Sequence, residues 1–168
     1  DITATDYTIG FDSAMNTALK MIDCLRDTCE SHARINVVEV MGRHAGHIAL
    51  NTGIACGATS ILVPEIEFDL DKIASSIKKS YLRGKTSNMI ILAEGAGNRD
   101  EIASYIQEKS GMGVKVTNFG YIQRGGSPNM MDRVLAAKFG YKAVELMKKH
   151  VARTRNEGCL DDVGGFGG

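Results

Sequence analysis

Met89-Ile90-Ile91-Leu92-Ala93, followed at once by Glu94-Gly95, is the stretch that decides the fold. The run has no polar face, so as a strand it must be covered on both sides. A strand of that kind belongs to a parallel sheet with helices above and below. The segments around it alternate as such a sheet requires. Phe11, Ala14, Met15, Ala18, Leu19, Ile22 and Leu25 recur at helical spacing and predict a helix from about Asp12 to Glu30. Ile35–Val40 reads as a strand, and His44–Ala55 as a helix closed by Gly57. Ser60–Val63 is a short strand stopped by Pro64, and Asp69 is placed to cap a helix reaching Leu82 before Gly84. Beyond the deciding run come a helix over Arg99–Ser110, a strand over Lys115–Phe119, and a helix over Met131–Lys149 that Pro128 can open.

The expectation is therefore an α/β chain, three layers deep (α/β/α) with a mostly parallel sheet. Right-handed crossovers place every strand's carboxyl end on one edge, and ligands of such sheets bind in the crevice beyond it. Three strands end there on polar or glycine-rich residues: Met41-Gly42-Arg43, Glu94-Gly95, and Tyr121-Ile122-Gln123-Arg124-Gly125-Gly126.

Gln123-Arg124-Gly125-Gly126-Ser127-Pro128 carries the sharpest chemical signal. The glycines let backbone approach a ligand, Arg124 presents a fork of donors suited to phosphate, and the following helix start favours an anion. The loop reads equally as a tight strand-to-helix turn with a solvated arginine. Gly42 and Arg43 read alone as an ordinary loop, and their place beside Arg124 on the same sheet edge turns them towards anion binding. Glu94 either accepts hydrogen bonds from sugar hydroxyls or caps an exposed strand end. Arg34 precedes the first strand, at the opposite edge, and can join the site only by reaching a neighbouring subunit. Arg83 and Lys85 flank Gly84 and, with Arg26, can form a basic phosphate site; the competing reading is that they merely offset a helix dipole.

Composition narrows the field. The chain has 168 residues, with 20 Lys+Arg against 20 Asp+Glu, so no global field draws nucleic acid or an anionic membrane. No apolar run approaches the roughly 20 residues that span a bilayer. The four cysteines, Cys24, Cys29, Cys56 and Cys159, have no CxxC spacing, and His44 with His47 has no third ligand in view. Free thiols fit a reducing cytosol. Neither a nucleophile elbow nor a Walker A loop is present.

Taken in order, Thr8-Ile9-Gly10-Phe11, Val38-Glu39-Val40-Met41-Gly42-Arg43-His44-Ala45-Gly46, Ala93-Glu94-Gly95, Ile122–Pro128 and Asp132-Arg133 resemble the motifs of bacterial-type 6-phosphofructokinases. The resemblance covers about residues 1–150. It implies transfer of the γ-phosphoryl group of ATP, with magnesium, to the 1-hydroxyl of fructose 6-phosphate, a glycolytic and cytoplasmic reaction. It also implies a homotetramer of two-domain subunits, with no nucleic-acid or membrane partner. Residues 10–124 are then the fructose 6-phosphate domain, 1–9 an interdomain segment, 125–150 a helix returning to an ATP domain, and 151–168 a flexible or divergent tail. By position, Met41, Gly42, Arg43, Glu94, Tyr121, Ile122, Gln123 and Arg124 would bind the sugar phosphate, joined by Arg34 and Lys115 from an adjacent subunit. Arg26, Gly57, Ala58, Thr59, Arg83, Lys85, Thr86 and Ser87 would form an allosteric nucleotide site. Asp1 aligns with a supporting acid and candidate metal ligand, and the catalytic base falls two residues before it. The chain is accordingly expected to be a C-terminal fragment, inactive alone, that holds neither ATP nor magnesium fully.

This sequence departs from the pattern at three positions. Lys115 stands where the family has Arg and lacks the bidentate fork. Tyr121 replaces a histidine, and Thr59 an acidic residue linked to effector magnesium. Two rival readings stay open: a pyrophosphate-dependent phosphofructokinase, and a non-catalytic sugar-phosphate-binding regulatory subunit.

Overall fold

Alternate residues of the central strands feed two separate cores. Val38 and Val40 of β1 (Ile35–Val40) join Met89, Ile91 and Ala93 of β3 (Asn88–Ala93) on one face. Val37 and Ile35 join Ile90 and Leu92 on the other. The first face is covered by α1 (Phe11–Glu30) through Ala18 and Ile22, and by α2 (His47–Ala55) through Ala49. The second is covered by α3 (Leu70–Leu82) through Ile77, and by α4 (Arg99–Ser110) through Ile102 and Ile106. Adding β2 (Ser60–Leu62) and β4 (Val114–Asn118) gives a four-stranded sheet in the order β2-β3-β1-β4, and all three pairings are parallel. The three-layer α/β/α architecture predicted from the apolar run is what the chain adopts.

The structure, a computed structural model, describes residues 5–30 and 34–161, without the side chains of 29, 30 and 155–161. Asp1, His32 and the glycine-rich end lie outside the described residues. The chain divides into two units, Asp1–Pro128 and Asn129–Gly168. The second unit holds α5 (Met130–Asp161), whose Phe139, Leu146 and Met147 are largely exposed.

Local chemistry sets the boundaries. Asp69 accepts the N–H groups of Asp71 and Lys72 at 3.0 and 3.1 Å and starts α3. Asn98 does the same for α4 with Asp100 and Glu101, and α4 ends where Gly111 turns left-handed at φ 73°. Three expectations need correction. Helix α2 begins at His47 rather than His44, because Ala45 N–H closes a turn onto the Gly42 carbonyl and Arg43 sits at φ 52°, both incompatible with helix. Strand β4 is shifted one residue towards the amino end, from Lys115–Phe119 to Val114–Asn118, and Gly120–Arg124 forms a 3-10 turn. Helix α5 runs on past the expected end at Lys149, through Asp161.

This topology positions a site. The loop after β1 leads to α2 on one face, and the loop after β3 leads to α4 on the other. Neighbouring strands whose exits part in this way leave a crevice at their carboxyl ends.

Candidate functional site

The crevice is a cavity of about 610 Å³, within the range usual for small-molecule sites. Its walls combine Met41, Gly42 and Arg43 after β1, Glu94 after β3, and Gln123, Arg124, Gly125 and Gly126 after β4. The first turn of α1, from Gly10 to Ala14, closes one side, and Ile48 of α2 adds an apolar patch. The α1 contribution was not foreseen as a wall. Its signal was the Thr8-Ile9-Gly10-Phe11 motif, whose Thr8 and Ile9 also line the space.

Besides its own backbone turn from Ala45 N–H to the Gly42 carbonyl, the 41–46 loop is tied to its surroundings by side chains. Met41 N–H donates to Gln123 Oε1 at 3.0 Å. Gly42 and Arg43 N–H both donate to Glu94 Oε1, at 3.1 and 2.6 Å. Those two bonds use one of the two Glu94 carboxylate oxygens, Oε1. Gly46 N–H, at the amino end of α2, donates to Glu65 Oε1 at 2.7 Å. This network explains how Arg43 keeps a left-handed backbone, which costs a non-glycine residue about 1–2 kcal/mol. Glycine is required at Gly95, where a Cβ would come within 2.2 Å of the Arg43 carbonyl oxygen.

Gln123 is buried, at 1% exposure, and its Nε2 has no hydrogen-bond partner among the described residues. A buried donor of that kind is costly unless a ligand or water satisfies it. Arg124 lies over the ring of Tyr121, with Cζ 5.0 Å from the centroid. Tyr121 and Ile122 themselves are exposed and stand outside the cavity wall. Arg34 and Lys115 sit far along the sheet from the crevice. Arg34 immediately precedes β1, and Lys115 pairs in register with Asn36 near that strand's start. One chain does not bring either to the site.

The second group of predicted residues also converges. A cavity of about 440 Å³ is lined by Arg26, Gly57, Thr59, Lys85, Thr86 and Ser87, with Gly84 and Cys56. Lys85 Nζ donates to Thr59 Oγ1 at 3.2 Å, and Thr59 donates onward to Asn88 Oδ1 at 3.3 Å. The guanidinium of Arg26 bonds the Cys56 carbonyl. Burial pushes the Cys56 thiol up from its ordinary value, against the pull of Arg26, so it stays protonated. Ala58 packs towards the core and Arg83 ends α3, and neither lines this cavity.

Comparison with known proteins finds relatives of this chain. The family model described as Phosphofructokinase matches residues 1–147. An ATP-dependent 6-phosphofructokinase of Clostridium botulinum is 54% identical over 147 residues, covering 88% of this chain and 46% of the relative. One of Clostridium tetani is 54% identical with the same coverage. This chain spans about half the length of the curated relatives it matches. Among solved structures, phosphofructokinase from Saccharomyces cerevisiae superposes with a TM-score of 0.81 at 35% identity, over 86% of this chain and 20% of that one. A pyrophosphate-dependent phosphofructokinase from Marinobacter aquaeolei superposes with a TM-score of 0.66 at 25% identity, over 85% of this chain and 39% of that one.

Proposed function

This chain belongs to the phosphofructokinase family, and we propose that its crevice is the fructose 6-phosphate cradle of an ATP-dependent 6-phosphofructokinase. The observation that carries the reading is the convergence of two arginines, a carboxylate and a glycine-rich turn on one strand-end cavity. Arg124 and Arg43 supply charge for a phosphate, Glu94 Oε2 accepts from sugar hydroxyls, and Gly125 and Gly126 admit the ligand close to backbone. The buried Gln123 Nε2 is a donor awaiting an oxygen. Arg34 and Lys115 would reach the phosphate from a second copy, since their own crevice lies at the other end of the sheet. The cavity around Arg26 and Lys85 would take the phosphates of an effector nucleotide. Its hydroxyl at Thr59, already engaged by Lys85, offers a cation no carboxylate.

ATP is favoured over pyrophosphate as the donor because the 54% identical relatives are named ATP-dependent, whereas the pyrophosphate-dependent neighbour is 25% identical. Among the described residues no cluster of three or more His, Cys, Asp or Glu side chains could hold a metal ion. Asp1, the candidate magnesium ligand, lies outside the described residues, and this stretch is read as contributing sugar-phosphate recognition. The deciding experiment is calorimetric titration of the chain with fructose 6-phosphate and, separately, fructose. Binding of the phosphorylated sugar alone, weakened by about 1.5–3 kcal/mol in Arg124→Ala, supports the reading. Equal response to both sugars, or none to either, refutes it.

A further inference from the structure

Three side chains anchor the 41–46 loop, and two of them, Gln123 and Glu94, line the crevice. The third does not. Glu65 lies beyond β2, on an exposed turn, and touches the far end of the loop. Its contact is a built one. Gly46 is buried and its N–H, at the start of α2, has no carbonyl within the helix to receive it. A Cβ on Gly46 would lie 2.4 Å from Val63 Cβ and 2.7 Å from Glu65 Oε2, so the loop is pressed against the segment that carries Glu65. Leu50 N–H then returns to the Gly46 carbonyl at 2.8 Å, which ties the contact into the first turn of α2. The Gly46 bond also holds the Glu65 carboxyl below its ordinary range, so the acceptor is anionic near neutral pH.

We propose that Glu65 is a positioning residue for sugar-phosphate binding: by fixing Gly46 it holds Met41, Gly42, Arg43 and Ile48 in the crevice without touching the ligand. The inference rests on the functional reading above. Its mechanism is mechanical. Arg43 stays left-handed only while the loop is pinned at both ends, and Glu65 supplies the pin on the α2 side. Releasing it lets the loop relax towards ordinary backbone angles and carries the Arg43 side chain away from its place.

Two variants of the whole chain, Glu65→Ala and Glu65→Gln, test this. Glutamine keeps an acceptor oxygen for Gly46; alanine does not. Fructose 6-phosphate affinity is measured by calorimetry, and amide exchange is followed separately over 41–50 and over α3 and α4. Glu65→Ala is expected to weaken binding about tenfold, the scale of a sub-ångström to ångström misplacement. It is expected to speed exchange about tenfold in 41–46 while α3 and α4 keep their protection. Glu65→Gln restores both to within about twofold. Wild-type affinity and exchange in Glu65→Ala overturn the proposal. So does exchange that rises equally across residues 5–128, which marks a general fold contact, or a Gln variant as impaired as Ala. If the wild-type chain binds no fructose 6-phosphate, the functional reading fails, and a loop exchange rate unmoved by Glu65→Ala separately overturns the pin.

Discussion

Gly95→Ala isolates what the crevice demands of the backbone. Gly95 has no positive φ, so alanine there meets no conformational penalty. The obstacle is space: the new methyl would stand 2.2 Å from the Arg43 carbonyl oxygen and 3.2 Å from His44 Cα. Ordinary contact begins near 3.4 Å, so the loop and the end of β3 must part by about 1 Å. Overpacking of that size costs about 1–3 kcal/mol of stability. The larger effect falls on the ligand, because the displaced segment carries Arg43 and the amides that orient Glu94. A 1 Å displacement of binding groups predicts about 10- to 100-fold weaker fructose 6-phosphate binding. Gly111→Ala is the matched control. Its φ of 73° strains alanine, but nothing lies within 4 Å of the new methyl, and the site is far from the loop. It is expected to lose about 1 kcal/mol of stability with unchanged affinity. Both variants are assayed by thermal unfolding followed by circular dichroism and by titration calorimetry. Gly95→Ala with wild-type affinity, or Gly111→Ala with the same loss of affinity, refutes the claim that the loop's position is what binds.

Tyr121 holds Arg124 against its ring, so Tyr121→Leu is expected to weaken fructose 6-phosphate binding about two- to fivefold, whereas Tyr121→Phe leaves it unchanged. A phenylalanine variant as weak as leucine would show that the hydroxyl touches the ligand instead. ADP is expected to raise the melting temperature of the wild-type chain but not that of Lys85→Ala, in the cavity shared with Arg26; an equal rise in both would place nucleotide elsewhere. Asp69 and Glu65 are both held below their ordinary carboxylate range, chiefly by the Lys72 and Gly46 N–H groups respectively. A depressed folded-state value contributes stability that is present above about pH 4 and lost as pH falls through it. The melting-temperature gap between wild type and Asp69→Ala should therefore be full at pH 7 and shrink below pH 4; a constant gap would remove the charge from the cap.

The sheet was legible because burial on two faces leaves a sequence no choice. Met89–Ala93 can only be an inner strand, and its neighbours on both sides follow the same alternation. The candidate site was legible in part for a similar reason: strand ends share an edge, so polar and glycine-rich ends gather there. What the pattern concealed lies in backbone angles. His44-Ala45 scans as helix, and only the left-handed Arg43 and the turn onto Gly42 keep it out of α2. Glu65 was invisible for another reason. The charged-apolar alternation of Glu65-Ile66-Glu67-Phe68 singles out no one carboxylate, and the partner of Glu65 is a backbone amide 19 residues away. The α1 wall was visible as a motif without a role, since nothing in Gly10-Phe11 says which sheet edge its helix start will face.

The anchors show why this loop is built from side-chain acceptors. A segment that would present backbone and an arginine to a ligand cannot also spend its N–H groups in a ladder, yet a fixed loop conformation needs partners for them. Gln123, Glu94 and Glu65 meet that requirement from three different strand ends, after β4, β3 and β2. Glu94 has the dual position, since one of its oxygens holds two amides while the carboxylate also lines the cavity. A ligand hydroxyl that donates to Oε2 would strengthen the same carboxylate that orders the loop. Binding and loop order are then coupled through one side chain. Glu94→Gln, which keeps one acceptor oxygen but loses the charge and the second, should therefore reduce affinity more than Glu65→Gln does, although both leave the loop an acceptor.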